Sequence, residues 1–185
     1  MSIELEIIEL SPEELDQYAG VPIAFEVSSS LEVDEDPTGS FLLRERSIQP
    51  PYVKDYDSIE GAAPTSWPSL LSAFEWQMFA ARVNNAVVGG ALAFVAPRNS
   101  ARVIVLHDLR VSFAVRRRGV ARALFRTVES WGKAKGCSGL EVETQNINVP
   151  ACKFYEAQGC KLMEINQAAY PELAHEIQLL WRKEL

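Results

Sequence analysis

Three arginines in a row, Arg116, Arg117 and Arg118, stand directly before Gly119-Val120-Ala121. An apolar run from Val103 to Val111 precedes them, and Val120, Leu124, Val128 and Trp131 follow at helical spacing. The bend therefore falls between a buried strand and a helix. A helix's first turn offers unpaired N–H groups and about half a positive charge. Gly119 lets a ligand come close to the backbone, and Ala121 keeps the next turn slim. The chemistry that suits such a bend is the holding of an anion, above all a pyrophosphate. It is neither a Walker A loop nor a dinucleotide fingerprint, since GxxxxGK[ST] and GxGxxG are both missing. A solvated basic helix start fits the same residues without any ligand.

A second group runs from Glu143 to Tyr155. Asn148 stands where a helix starts, and Ala151, Phe154 and Tyr155 share a face at i, i+3 and i+4. Taken alone, Phe154 and Tyr155 also fit an ordinary core.

The elements that must position these groups read clearly from Phe74 onward. Phe74–Val83 and Ala86–Val95 alternate as strands around Asn84-Asn85, a hairpin turn. Val103–Val111 is a third strand, buried apart from His107, Asp108 and Arg110. The helix from Val120 closes at Gly136; Leu140–Thr144 is a strand, and Ala151–Gln158 a helix ended by Gly159. Lys161–Ile165 and Ile177–Trp181 complete the strands. Before these, Ile3–Leu10 alternates as a half-buried strand, and Ser11-Pro12-Glu13-Glu14 starts a short helix with a capping box. Residues 34–68 hold five prolines and no clear period, so they read as a long binding loop flanking the site. The order is mixed α/β.

Composition narrows the class. The 185 residues suit a single domain, 1–185, with 48% hydrophobic and 23% charged side chains. No apolar run is long enough for a membrane span, and the first residues lack a secretory pattern. The three cysteines, Cys137, Cys152 and Cys160, lack a CxxC spacing and read as reduced thiols, so a cytoplasmic location is expected. With His175 they lack zinc-ligand spacing, so no metal is expected. The first hundred residues carry 5 basic and 16 acidic side chains, the remainder 13 and 9. The overall charge of −7 argues against nucleic acid as a partner.

The two motifs together, RxxGxA at Arg116–Ala121 and NxxAxxFY at Asn148–Tyr155, resemble the GNAT superfamily of acyl-CoA-dependent N-acyltransferases. Within it, Glu143–Tyr155, Pro51–Asp57 and Glu176–Trp181 look most like the streptothricin acetyltransferase family. The strong resemblance covers Leu106–Gly159; Phe113, Pro150 and Cys160 depart from the usual pattern. It implies the GNAT fold, a mixed central sheet of about six to seven strands with helices on both faces. It further implies acetyl-CoA as co-substrate. Backbone groups of Leu109 and Val111 would pair with the pantetheine amides, the cofactor behaving as an added strand. The phosphates would lie on Arg116, Arg117, Arg118, Gly119, Val120, Ala121 and Arg122, and Asn148 would contact the pantetheine arm. Tyr155 would be the general acid, since a phenol of pKa about 10 can protonate a thiolate whose acid has pKa near 8.5.

The implied reaction is direct attack of a primary amine on the thioester. A lysine-like amine is neutral in only about one molecule in 2,500 at pH 7, a cost of about 4.6 kcal/mol, so it needs a base or desolvation. Asp108 is the first candidate base or cation anchor, and His107 the second. Adjacent strand residues point oppositely, so only one of them is expected to face the acceptor. The acidic first half, lined either by Glu32, Asp34, Glu35 and Asp36 or by Asp55 and Asp57, suits a small cationic acceptor of the streptothricin type, an aminated antibiotic. A protein or peptide amine is the enzyme alternative, and a non-catalytic acyl-CoA-binding module the rival from another class. The oligomeric state is left open, a dimer included.

Overall fold

The computed structural model describes residues 4–38, 40–173 and 175–185. In chain order the strands are β1 (Leu5–Leu10), β2 (Phe25–Glu35), β3 (Phe41–Lys54), β4 (Glu75–Val83), β5 (Ala86–Arg98), β6 (Ala101–Val111), β7 (Gly139–Gln145), β8 (Lys161–Asn166) and β9 (Gln178–Glu184). The helices are α1 (Leu15–Ala19), α2 (Trp67–Leu71), α3 (Val120–Ala134) and α4 (Val149–Ala157). Seven strands form a sheet in the order β1-β4-β5-β6-β7-β9-β8, while β2 and β3 pair only with each other. Antiparallel hairpins join β4 to β5 and β5 to β6, whereas α3 connects β6 to β7, the longer crossover that parallel neighbours need. This is the mixed α/β architecture expected.

Two compact units make up the chain: residues 1–24, 55–140 and 184–185 form one, residues 25–54 and 141–183 the other. In the first unit, β1 and β4–β6 carry the core. Asn84 and Asn85 both take positive φ, 50° and 64°, giving the tight turn that joins β4 to β5. The Glu14 carboxylate accepts the Ser11 N–H at 3.0 Å, so the capping pattern closes ahead of α1. Ile3, expected to open β1, lies outside the described residues.

Gly89 and Gly90 explain how this sheet is covered. A Cβ on Gly89 would meet Val120 and Leu124 of α3 at 3.0 and 3.3 Å, and one on Gly90 would meet the Tyr18 ring at 2.4 Å. Neighbouring strand residues face opposite ways, so α3 covers one face and Tyr18 of α1 the other. Beneath Tyr18 pack Leu10, Trp67, Met78, Ala80 and Leu92. On the α3 side Leu124, Phe125 and Val128 are buried, and Phe79 meets Trp131 edge-on. Gly90→Ala should overpack the Tyr18 side at about 1–3 kcal/mol. The expected drop in Tm is roughly 3–10 °C, read by thermal denaturation. Gly20→Ala, whose Cβ meets nothing nearer than 3.5 Å, should leave Tm in place.

The second unit corrects the reading of residues 34–68 as a loop. Residues 25–54 form a long hairpin, with Phe25 paired to Lys54 and Glu35 to Phe41. Much of β3 is exposed, so no apolar alternation marks it in sequence, and Pro50-Pro51 lies where the register shifts. After Lys54 the chain continues with one-turn helices at Tyr56–Ser58 and Pro64–Ser66, followed by α2.

Candidate functional site

The bend after β6 is braced before it is a cradle. The Ser112 N–H bonds to the Val88 carbonyl at 2.8 Å, and a single helical turn spans Phe113–Val115. The Arg116 guanidinium then turns back: its Nε donates to the Val111 carbonyl and its Nη2 to the Ala24 carbonyl, both at 2.9 Å. It stacks 3.8 Å above the exposed Phe113 ring, and burial lowers its pKa. The sequence places Arg116 among the phosphate groups; the structure spends its side chain on the bend itself. One backbone group expected for the pantetheine, the Val111 carbonyl, is engaged by the same arginine.

Past that brace the backbone is left-handed at Arg117 (φ 65°) and at Gly119 (φ 87°). Left-handed residues so close together curl N–H groups inward as a nest. Ala123 makes the first α3 hydrogen bond, its N–H reaching the Gly119 carbonyl at 3.0 Å, so the preceding first-turn amides have no partner within the helix. No atom lies within 4 Å of where a Cβ on Gly119 would sit, so the space above the bend is open. Arg117, Arg118 and Arg122 are exposed around it. These residues fit the diphosphate of acetyl-CoA; Leu109 is half-buried two residues before the end of β6.

In the second unit Asn148 caps α4, its side-chain oxygen accepting the Ala151 N–H at 3.2 Å. The buried stripe of α4 is Val149, Cys152 and Tyr155, with Ala151 and Phe154 half-buried beside it, and Pro150 fits within the first turn. Sequence reasoning missed Asn146. Its amide nitrogen donates to the Leu31 carbonyl at 3.2 Å while its oxygen accepts the Ile177 N–H at 2.8 Å, which fixes the loop leading to Asn148. A buried asparagine two residues before a helix cap is the only signal that pointed to it. Cys152 lies against Thr144 at 3.3 Å, and burial pushes its thiol up to about 11, which makes it a poor nucleophile.

Asp108 and His107 sit at a β-bulge. Leu92 pairs with Asp108 but Ala93 pairs with Leu106, leaving His107 without an opposite residue. The extra residue defeats strict alternation. His107 lies edge-on to Trp67, 5.3 Å between ring centres, and 6.1 Å from Phe94. Asp108 accepts from the Tyr18 hydroxyl, whose ring is itself 5.6 Å from Trp67. His107 thus lies against Trp67, while Asp108 bonds to the tyrosine that packs on the same indole.

Asp108 is not alone there. Arg110, fully buried, donates through Nε and Nη2 to its two oxygens at 2.8 and 3.0 Å. The same guanidinium binds both oxygens of Asp57 at 2.8 and 3.1 Å and the Val21 carbonyl at 3.1 Å, so all five N–H groups are used. Burial works against the Arg110 charge, but the bonds and charges of Asp108 and Asp57 outweigh it and raise its pKa. Burial, then the Asp108 charge, hold the Tyr18 phenol protonated far above its usual range. Two carboxylates against one guanidinium leave the trio formally at −1, opening to solvent at Asp57, whose side chain is 25% exposed. Of the other acids, Glu32 and Asp34 pair with Arg46 and Arg44 across the hairpin, and Asp55 caps its own turn.

Known proteins agree with this architecture. Residues 43–160 match the Acetyltransferase (GNAT) family. The chain is 27% identical to the streptothricin acetyltransferase of Escherichia coli over 177 residues, 94% of this chain and 93% of that one. It is 30% identical over 95 residues to an aminoglycoside N(6')-acetyltransferase type 1 of Salmonella typhimurium, 49% of this chain and 66% of the relative. A Bacillus anthracis protein solved in complex with acetyl coenzyme A superposes with a TM-score of 0.82 at 24% identity, over 98% of this chain and 100% of that one. With more than half its length matched, the chain belongs to the GNAT family of acetyltransferases and is an acetyl-CoA-dependent acyltransferase.

Proposed function

We propose that the protein moves the acetyl group of acetyl-CoA to a primary amine of a small cationic molecule of the streptothricin type. The observation that carries the reading is the bend itself, with Arg117 and Gly119 left-handed and open space above the first turn of α3. Acetyl-CoA supplies a thioester whose carbonyl carbon accepts an amine and whose sulfur leaves. The amides from Arg117 to Arg122 hold the phosphates, while Leu109 and the Val111 N–H align the pantetheine. The Asn148 side-chain nitrogen adds a donor to the same arm. As the C–N bond forms and the C–S bond breaks, the amine gives one proton to a base and Tyr155 gives one to the sulfur. The phenol then recovers its proton from solvent.

The acceptor's charge is supported by the trio around Arg110. Asp57 and Asp108, formally one charge in excess, favour an ammonium on the Trp67 side, and the chain's overall −7 draws such a molecule in. Incubating the protein with acetyl-CoA and streptothricin, spermidine or an unblocked tripeptide, and following free thiol, tests this. Streptothricin should release thiol fastest. Tight acetyl-CoA binding with no release from any of the three overturns the reading.

A further inference from the structure

The β-bulge in β6 places two groups able to take a proton beside Trp67, and their surroundings tell them apart. Asp108 is buried, with one oxygen shared between the Tyr18 hydroxyl and Arg110 Nε and the other held by Arg110 Nη2. A proton on Asp108 would remove the charge that a fully buried guanidinium depends on. His107 is exposed, the extra residue of the bulge, with its ring against Trp67 and Phe94. An imidazole has an ordinary pKa of about 6.5, suited to accept a proton near neutrality and release it again.

We infer that His107 is the base that takes the proton from the acceptor amine, and that Asp108 and Arg110 are positioning residues that hold the bulge turned this way. The inference rests on the acetyl transfer proposed above and names the proton acceptor that transfer needs. The proton leaves the amine nitrogen as the C–N bond forms, passes to a ring nitrogen of His107, and goes on to solvent. The charged groups on the same side are Asp108, Arg110 and Asp57, with the Tyr18 hydroxyl beside them; α2 and β5 contribute the Trp67 and Phe94 rings.

The test is the pH dependence of kcat/KM for the amine, measured with each of streptothricin, spermidine and the tripeptide that the parent acetylates. His107→Ala should lower kcat/KM about 100-fold near pH 7, leave acetyl-CoA affinity unchanged, and abolish the rise that the parent shows through about pH 6.5. Added imidazole should restore roughly 10-fold of the loss, a response that a structural defect would not give. A His107→Ala variant that keeps that rise, or whose loss imidazole leaves untouched, overturns the assignment. Asp108→Asn should weaken activity while the rise stays in place; its disappearance there moves the proton to Asp108. A parent that acetylates none of the three amines refutes the proposed function itself, whereas a working parent matched by His107→Ala refutes this inference alone.

Discussion

Gly119→Glu should abolish acetyl-CoA binding, with a loss of affinity of about 1,000-fold read by calorimetry. Two effects add. A side chain at φ 87° sits in the left-handed region, at about 1–2 kcal/mol for an L-residue. The larger effect is charge. A carboxylate over the first turn of α3 lies where the phosphates belong, and like charges about 4 Å apart cost roughly 4 kcal/mol at an effective dielectric of 20. The new carboxylate also satisfies the amides it displaces ligand from, since anions stabilise helix N-termini, so the variant should fold. Gly119→Ala separates the two: it carries the strain without the charge and should cost no more than about 10-fold. Affinity of the Glu variant within a factor of about two of the parent's removes the bend as the phosphate site.

Tyr155→Phe should lower kcat about 100-fold, the lower range for a positioned general acid, while KM for acetyl-CoA stays put. Tyr155 is buried to 6% exposure on α4, beside Phe154 at 5.2 Å between ring centres, so the phenyl ring keeps its packing and only the hydroxyl goes. Single-turnover rates isolate the chemical step. Turnover equal to the parent's leaves the sulfur to find its proton elsewhere and ends the acid role of Tyr155.

The parts of this protein visible in its sequence are those where local pattern and tertiary burial agree. β4, β5, β6 and α3 carry apolar periods because each is packed on a core face, and Asn84-Asn85 has the positive φ that its residue types favour. The bend was legible because Arg116–Ala121 is a local run. The β2–β3 hairpin was not, since β3 is largely exposed and shows no apolar run that would pair it with β2. Neither was the bulge: an extra residue in β6 leaves no mark in composition, yet it breaks the alternation between His107 and Asp108. Arg110 looked like a polar interruption of an apolar strand. Its role rests on Asp57 and Val21, partners 53 and 89 positions away, which no window along the chain joins.

Gly89 and Gly90 make β5 thinnest at one dipeptide, where a helix leans in from one side and a tyrosine from the other. A side chain at either glycine therefore meets a different neighbour. A methyl at the first pushes on Val120 and Leu124 at the root of α3, and a methyl at the second displaces the Tyr18 ring whose hydroxyl bonds to Asp108. A library drawn at both positions should thus sort its failures into two heaps, one loosened at the base of α3 and one at the ring of Tyr18.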